Sequence, residues 1–148
     1  MGNQKLEAKT NEPEEDSYKV IAYKGNALPE EYLNLIRAPF LTSLRYGNDL
    51  FKLIDQDAYY KTYNKYLESI LKRNQTVVRL AALDDKTILG WSLSEPNLLH
   101  YVWVKKEVRR QGIMQSLLPE FTTFSHITNK WIPIWNKYHF DARFNPFV

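Results

Sequence analysis

The chain has 148 residues, 44% hydrophobic and 25% charged, which bounds it to one globular domain burying about 70% of the surface its unfolded form would expose. It contains no Cys, so disulfides and thiolate zinc sites are excluded, and a reducing cytoplasm is the expected compartment. The net charge of +3 is unevenly spread: Lys5 and Lys9 against Glu7, Glu12, Glu14, Glu15 and Asp16 leave residues 1–16 at −3 and the rest at +6, enough to attract phosphate-bearing ligands but short of the concentrated charge of a dedicated nucleic-acid binder.

Residues 1–16 are polar and acidic with almost nothing large to bury, and are expected to be a disordered tail ahead of a domain over 17–148. No apolar run approaches the roughly 20 residues of a membrane span, and the first residues lack the basic-then-apolar order of a signal peptide, so no membrane partner is expected. "YKVIAY" (Tyr18 to Tyr23) alternates as a first strand, closed by Lys24-Gly25-Asn26. Pro29 with Glu30 and Glu31 marks a helix start, and Pro39 is expected to break that helix into two short pieces. From about Asp55 to Arg73, Tyr59, Tyr63, Tyr66 and Ile70 recur at helical spacing, which predicts a helix facing the core, capped by Asp55 or Asp57.

Three strand-like runs follow, Thr76 to Leu83, Thr87 to Glu95 and Leu98 to Lys105, joined by segments so short that they predict an antiparallel meander. Ile113, Leu117, Leu118, Phe121 and Phe124 then suggest a helix, with Pro119 discordant. His126 to Thr128 could form another strand, "WIPIWNKYHF" a short helix containing Pro133, and "RFNPFV" a last strand. Strands interspersed with helices in this order predict a single α+β domain.

"KKEVRRQGIMQSLL" (Lys105 to Leu118) is the stretch with chemistry in it. A strand ending at Lys105, a tight basic turn and a helix starting near Gly112 can seat a phosphate, because the first helical N–H groups lack intrahelical partners. Gly112 has no Cβ to keep an anion off the backbone, and Arg109 and Arg110 add charge. A turn device before a helix, or a solvated basic loop, would use the same residues.

Taken with the preceding strands Ile88-Leu89-Gly90-Trp91 and His100-Tyr101-Val102-Trp103-Val104, the run Arg109-Arg110-Gln111-Gly112-Ile113 resembles the GNAT acyltransferase superfamily, whose hallmark R/Q-x-x-G-x-G/A follows the fourth strand. The resemblance covers about Thr76 to Leu118. It implies a single-domain GNAT-like fold, a mixed and mostly antiparallel sheet flanked by helices, with acetyl-CoA as co-substrate in a cleft where strands four and five splay. It further implies that backbone groups of Val102, Trp103 and Val104 hold the pantetheine arm and acetyl carbonyl, while amides from Arg109, Arg110, Gln111, Gly112, Ile113 and Met114 hold the pyrophosphate. Two positions depart from the pattern: Met114 stands where Gly or Ala is expected, and Trp135 where the family often has a Tyr general acid, which leaves Tyr138 as the nearest substitute. A closer similarity to small GNAT-like proteins of tailed phages, in the Tyr-rich helix, "LHYVWVKKEVRRQGI" and "FNPF", implies a bacterial cytoplasm.

Direct acetyl transfer to an amine needs orientation, a polarised carbonyl, a route for the amine's proton and an acid for the thiolate. His100 is the first candidate base, placed on Val104's face by strand alternation, and Glu95 the second; each could instead be a satisfied or rim side chain. His100, His126 and His139 are too scattered in sequence to suggest a metal site. The expected function is acetyl-CoA-dependent N-acylation of an amine-bearing small molecule or protein. The alternatives are a GNAT-fold adaptor that has lost its chemistry, for which Trp135 and Met114 argue, and a nucleic-acid binder using the basic turn.

Overall fold

The computed structural model describes residues 18–138 and 141–148. The expected tail over residues 1–16 and the His139 side chain lie outside that range. Ten principal elements follow in order: β1 (Lys19–Lys24), α1 (Glu30–Tyr46), α2 (Gln56–Leu71), β2 (Val77–Asp84), β3 (Thr87–Glu95), β4 (Asn97–Val104), α3 (Ile113–Leu117), β5 (Phe121–Phe124), α4 (Trp131–Tyr138) and β6 (Arg143–Phe144). The six strands form one sheet in chain order. β1 to β4 are antiparallel neighbours, whereas β5 runs parallel to β4 and β6 parallel to β5. This is a single α+β domain with a mixed, mostly antiparallel sheet flanked by helices.

The helices α1 and α2 cover one face. Ile36, Phe40 and Leu44 of α1 pack with Tyr59, Leu67 and Ile70 of α2 onto Val78, Leu80, Trp91 and Leu93, all at 1% exposure or less. Asp55 caps α2 by accepting the Ala58 amide at 3.0 Å, one of the two caps the sequence allows. The stripe Tyr59, Tyr63, Tyr66 and Ile70 does face the core.

On the other face, α3 and α4 cover two smaller clusters. One gathers Ala81, Leu89, Val104, Ile113 and Leu117; the second gathers Leu99, Phe124, Trp131 and Ala142. Met114 packs against both, so the side chain that departs from the family pattern serves as a wall between them.

Three sequence expectations are corrected. Pro39 sits inside an unbroken α1. Its cost in an interior turn is about 3 kcal/mol, yet Ile36, Phe40 and Leu44 recur every fourth residue on either side, and burying each contributes roughly 1.5–3 kcal/mol to keeping both halves on the sheet. The helix after Gly112 ends at Leu117 instead of running to Phe124, because Pro119 pushes Leu118 out of the helical region to ψ 128. The chain it frees forms β5 over Phe121–Phe124, a strand not foreseen there, while His126 to Thr128 lies beyond the strand end.

Candidate active site

β5 pairs along its whole length with only the first residues of β4. Asn97, Leu98 and Leu99 face Phe121, Thr123 and Phe124, and the Ser125 amide makes a last bond to the Leu99 carbonyl at 3.1 Å. Beyond that point β4 runs on through Val104 with no strand paired on its β5 side among the described residues. The opening is a cavity of about 1090 Å³, just above the usual range for small-molecule sites.

Alternation along β4 decides which backbone groups face this opening. The Lys105 amide bonds the Leu89 carbonyl of β3 at 2.8 Å, so the Trp103 backbone groups, two residues back, also face β3. Those of Val102 and Val104 therefore face the cleft. The Trp103 backbone groups thus point to β3, although the residue also lines the cavity; its ring stacks on Trp91 at 6.4 Å. The Val104 carbonyl already accepts from Arg109 Nε at 2.9 Å, which leaves both Val102 groups and the Val104 amide.

At the mouth, the chain passes through a short 3₁₀ turn (Lys106–Val108) and then bends twice through the left-handed region, at Arg110 (φ 68) and at Gly112 (φ 82). Such a bend turns successive amides toward one side, a concavity suited to an anion. α3 itself, with five residues, adds little dipole. A Cβ built on Gly112 would meet nothing within 4 Å, so the space in front of this backbone is open, and Gly112, Arg109, Arg110 and Met114 all line the cavity. These features fit a diphosphate.

His100 does not sit where alternation from Val104 would place it. The pairing shifts between Leu93↔Tyr101 and Ser94↔Leu99, leaving His100 as the extra residue of a β-bulge with no partner opposite. Its ring, 1% exposed, instead bonds Glu95 Oε2 through Nε2 at 2.7 Å and Ser125 Oγ through Nδ1 at 2.7 Å. Glu95 Oε2 also receives Arg73 Nη1 at 2.7 Å. Burial raises the Glu95 pKa, but the bonds from His100 and Arg73 outweigh it and hold the carboxyl below its usual range. Burial lowers the His100 pKa, only partly offset by Glu95. Glu95 is not part of the cavity wall, whereas His100 is.

The sequence reading missed two further members of this cluster. Ser125 Oγ lies 2.7 Å from His126 Nδ1, and the His126 ring lines the cavity, flanked by Phe40, Tyr66 and His100 at centroid distances of 6.0, 5.2 and 6.3 Å. Burial, and then the nearby His100, push the His126 pKa down to about 4 against the pull of a His100 backbone carbonyl. A Ser-His pair directly after the β-prone run Phe121-Thr122-Thr123-Phe124 was the available signal.

On the opposite wall, α4 divides the two aromatic residues weighed as acids. Trp135, half-buried, packs edge-on against Phe124 at 5.1 Å at the side of the core cluster, while Tyr138, one turn after Ile134, lines the cavity with it. Among the described residues, no group of three or more His, Asp or Glu gathers where a metal could sit, and no helix is long and apolar enough to cross a membrane.

No protein-family model and no curated protein matches the chain. Among solved structures it is similar to a probable acetyltransferase (20% identity, 86% of this chain and 77% of that one, TM-score 0.45). It is also similar to an aminoglycoside acetyltransferase from an uncultured soil metagenomic sample, in complex with sisomicin (16%, 88% and 78%, 0.44). A third is the ribosomal-protein-alanine N-acetyltransferase of Brucella melitensis biovar Abortus 2308 (14%, 86% and 79%, 0.40). At such identities and TM-scores, what those proteins act on says nothing of this chain's acceptor.

Proposed function

We propose that this chain is an acetyl-CoA-dependent N-acyltransferase that passes an acetyl group directly to an amine on a small molecule or protein, in a cytoplasm, with residues 17–148 as the acyltransferase unit. The observation that carries the reading is the conjunction at one cavity of a strand edge left unpaired by the β4–β5 splay and a left-handed turn with open space before Gly112. An extended arm ending in a diphosphate matches both parts: amide-bearing pantetheine along Val102 and Val104, and the diphosphate in the Arg109 to Met114 turn.

Direct transfer then asks little covalent help of the protein. The amine attacks the thioester carbon, the C–N bond forms, the C–S bond breaks, and the sulfur leaves with the bonding pair. Binding along β4 supplies orientation, and the Val102 or Val104 amide supplies a donor for the developing oxyanion. Tyr138 is the candidate donor to the departing thiolate, and its place on the cavity wall supports that role.

Calorimetry with acetyl-CoA and CoA, paired with thiol release across a panel of amines, tests the reading. Binding with turnover is expected. Absence of heat with either nucleotide, together with a Gly112→Trp variant that keeps every activity, would sink it. The second reading, a GNAT-fold binding protein without chemistry, is favoured by the packing of Trp135 against the Phe124 cluster, and predicts binding with no thiol released from any amine.

A further inference from the structure

One continuous chain of hydrogen bonds crosses the sheet behind the cleft: Arg73 to Glu95, Glu95 to His100, His100 to Ser125 and Ser125 to His126. With Glu95 ionised and both rings neutral, as their lowered pKa values favour near pH 7, the protons follow from donor and acceptor capacity. Ionised Glu95 can only accept, so His100 Nε2 carries a hydrogen. A neutral imidazole has one N–H, so His100 Nδ1 accepts and takes the one hydrogen the Ser125 hydroxyl can give. Toward His126, Ser125 Oγ must then accept, and the hydrogen of that ring lies on Nδ1. His126 Nε2 is left with its lone pair, on a ring that forms part of the cavity wall.

We propose that His126 Nε2 is the proton acceptor for the attacking amine and that Ser125, His100 and Glu95 relay the proton from it to the protein surface. This rests on the acyl-transfer reading above and adds to it a base that the sequence did not single out. As the C–N bond forms, the amine N–H passes to His126 Nε2 and the Nδ1 hydrogen passes to Ser125 Oγ. The Ser125 hydrogen passes to His100 Nδ1, and the His100 Nε2 hydrogen to Glu95 Oε2. Glu95, whose side chain is 17% exposed, releases it to water. Each ring ends neutral, in the opposite tautomer, and no imidazolium is left inside. That matters because burial and the neighbouring His100 disfavour a charged His126. Ser125, His100 and Glu95 are positioning residues here: they act through His126.

The titratable and charged groups facing the His126 ring are His100 from β4 and Tyr66 from α2, whose hydroxyl also hydrogen-bonds Ser125, with Glu95 and Arg73 beyond His100; α1 contributes the Phe40 ring. The first test needs no substrate. Imidazole ¹⁵N shifts of the full chain at about pH 7 are expected to show His126 as the Nδ1–H tautomer and His100 as Nε2–H. His126 found mainly as Nε2–H overturns the relay.

The second test is kinetic, with acetyl-CoA and the best amine of the panel. Ser125→Ala is expected to lower kcat by about 10²-fold with KM and acetyl-CoA affinity within about twofold, as loss of general-base catalysis would. Ser125→Thr, which keeps a hydroxyl, should recover most of it, and Glu95→Gln should fall with Ser125→Ala. An unchanged kcat in Ser125→Ala and Glu95→Gln overturns the relay even if the tautomers are as expected. No acetyl-CoA heat from the wild-type chain overturns the acyl-transfer reading instead, a failure the tautomer measurement does not share.

Discussion

Arg109 closes the turn after β4 back onto the strand itself, its Nε donating to the Val104 carbonyl at 2.9 Å. One bond thereby fixes the spacing between the strand edge that faces the cleft and the left-handed turn at its mouth. The same bond explains why a guanidinium suits this position: with Nε donating to the strand, the terminal nitrogens remain available as donors on a residue that lines the cavity.

Arg109→Lys is therefore expected to behave like Arg109→Ala. An ammonium has no second donor set at that angle, so both variants should weaken acetyl-CoA binding by roughly tenfold, the order of one lost charge-assisted bond. Calorimetry on the two variants checks it; a lysine that restores wild-type affinity would show that only charge mattered.

Gly112 separates conformation from space. Its φ of 82 favours Gly or Asn, and open space lies where a Cβ would stand. Gly112→Ala should cost about 1 kcal/mol of stability through the left-handed backbone. Gly112→Asn should keep stability nearly intact and yet lose acetyl-CoA affinity, because its side chain fills the proposed diphosphate seat. Denaturant unfolding and calorimetry on the same pair of variants read the two effects apart.

Gly90 lies opposite Val104, and a Cβ there would stand 2.7 Å from the Trp103 carbonyl and 3.2 Å from Leu117. A backbone atom cannot step aside cheaply. Gly90→Ala is expected to destabilise the fold by roughly 1–3 kcal/mol, as overpacking does, with a lowered melting temperature by calorimetry or circular dichroism as the measurement.

Stability should also fall as the solution is acidified, well before ordinary carboxylates titrate. The folded His126 pKa lies near 4 against 6.5 for the free side chain, so below 6.5 the unfolded chain binds the proton first. The contribution is fully present above about pH 6.5 and is lost progressively as pH falls toward 4. His126→Gln should make the fall in unfolding free energy across that window shallower in denaturant titrations, with His100, whose pKa burial also lowers, keeping the remainder. Glu95, with its pKa held below 4.5, has the same sign, its contribution lost at still lower pH.

Much of the architecture was legible because it depends on neighbours in sequence. The meander of β2 to β4, the Tyr stripe of α2 and the Asp55 cap all follow from periodicity and short connections. Local signals failed where two of them competed. At Pro39 the helix breaker lost to the buried face of α1, and at Pro119 the breaker won over an apolar spacing that looked helical.

The basic turn with its one glycine was likewise readable, since left-handed backbone and an unobstructed approach are properties of the residue itself. What lines the His100 side of the cavity was decided by the tertiary structure alone. A single bulge in β4 turned His100 away from the face that strict alternation assigns it, and the parallel pairing of β5, 25 residues further along the chain, brought Ser125 to its ring. Registers and bulges arise from packing between strands distant in sequence, and no periodicity within one strand encodes them.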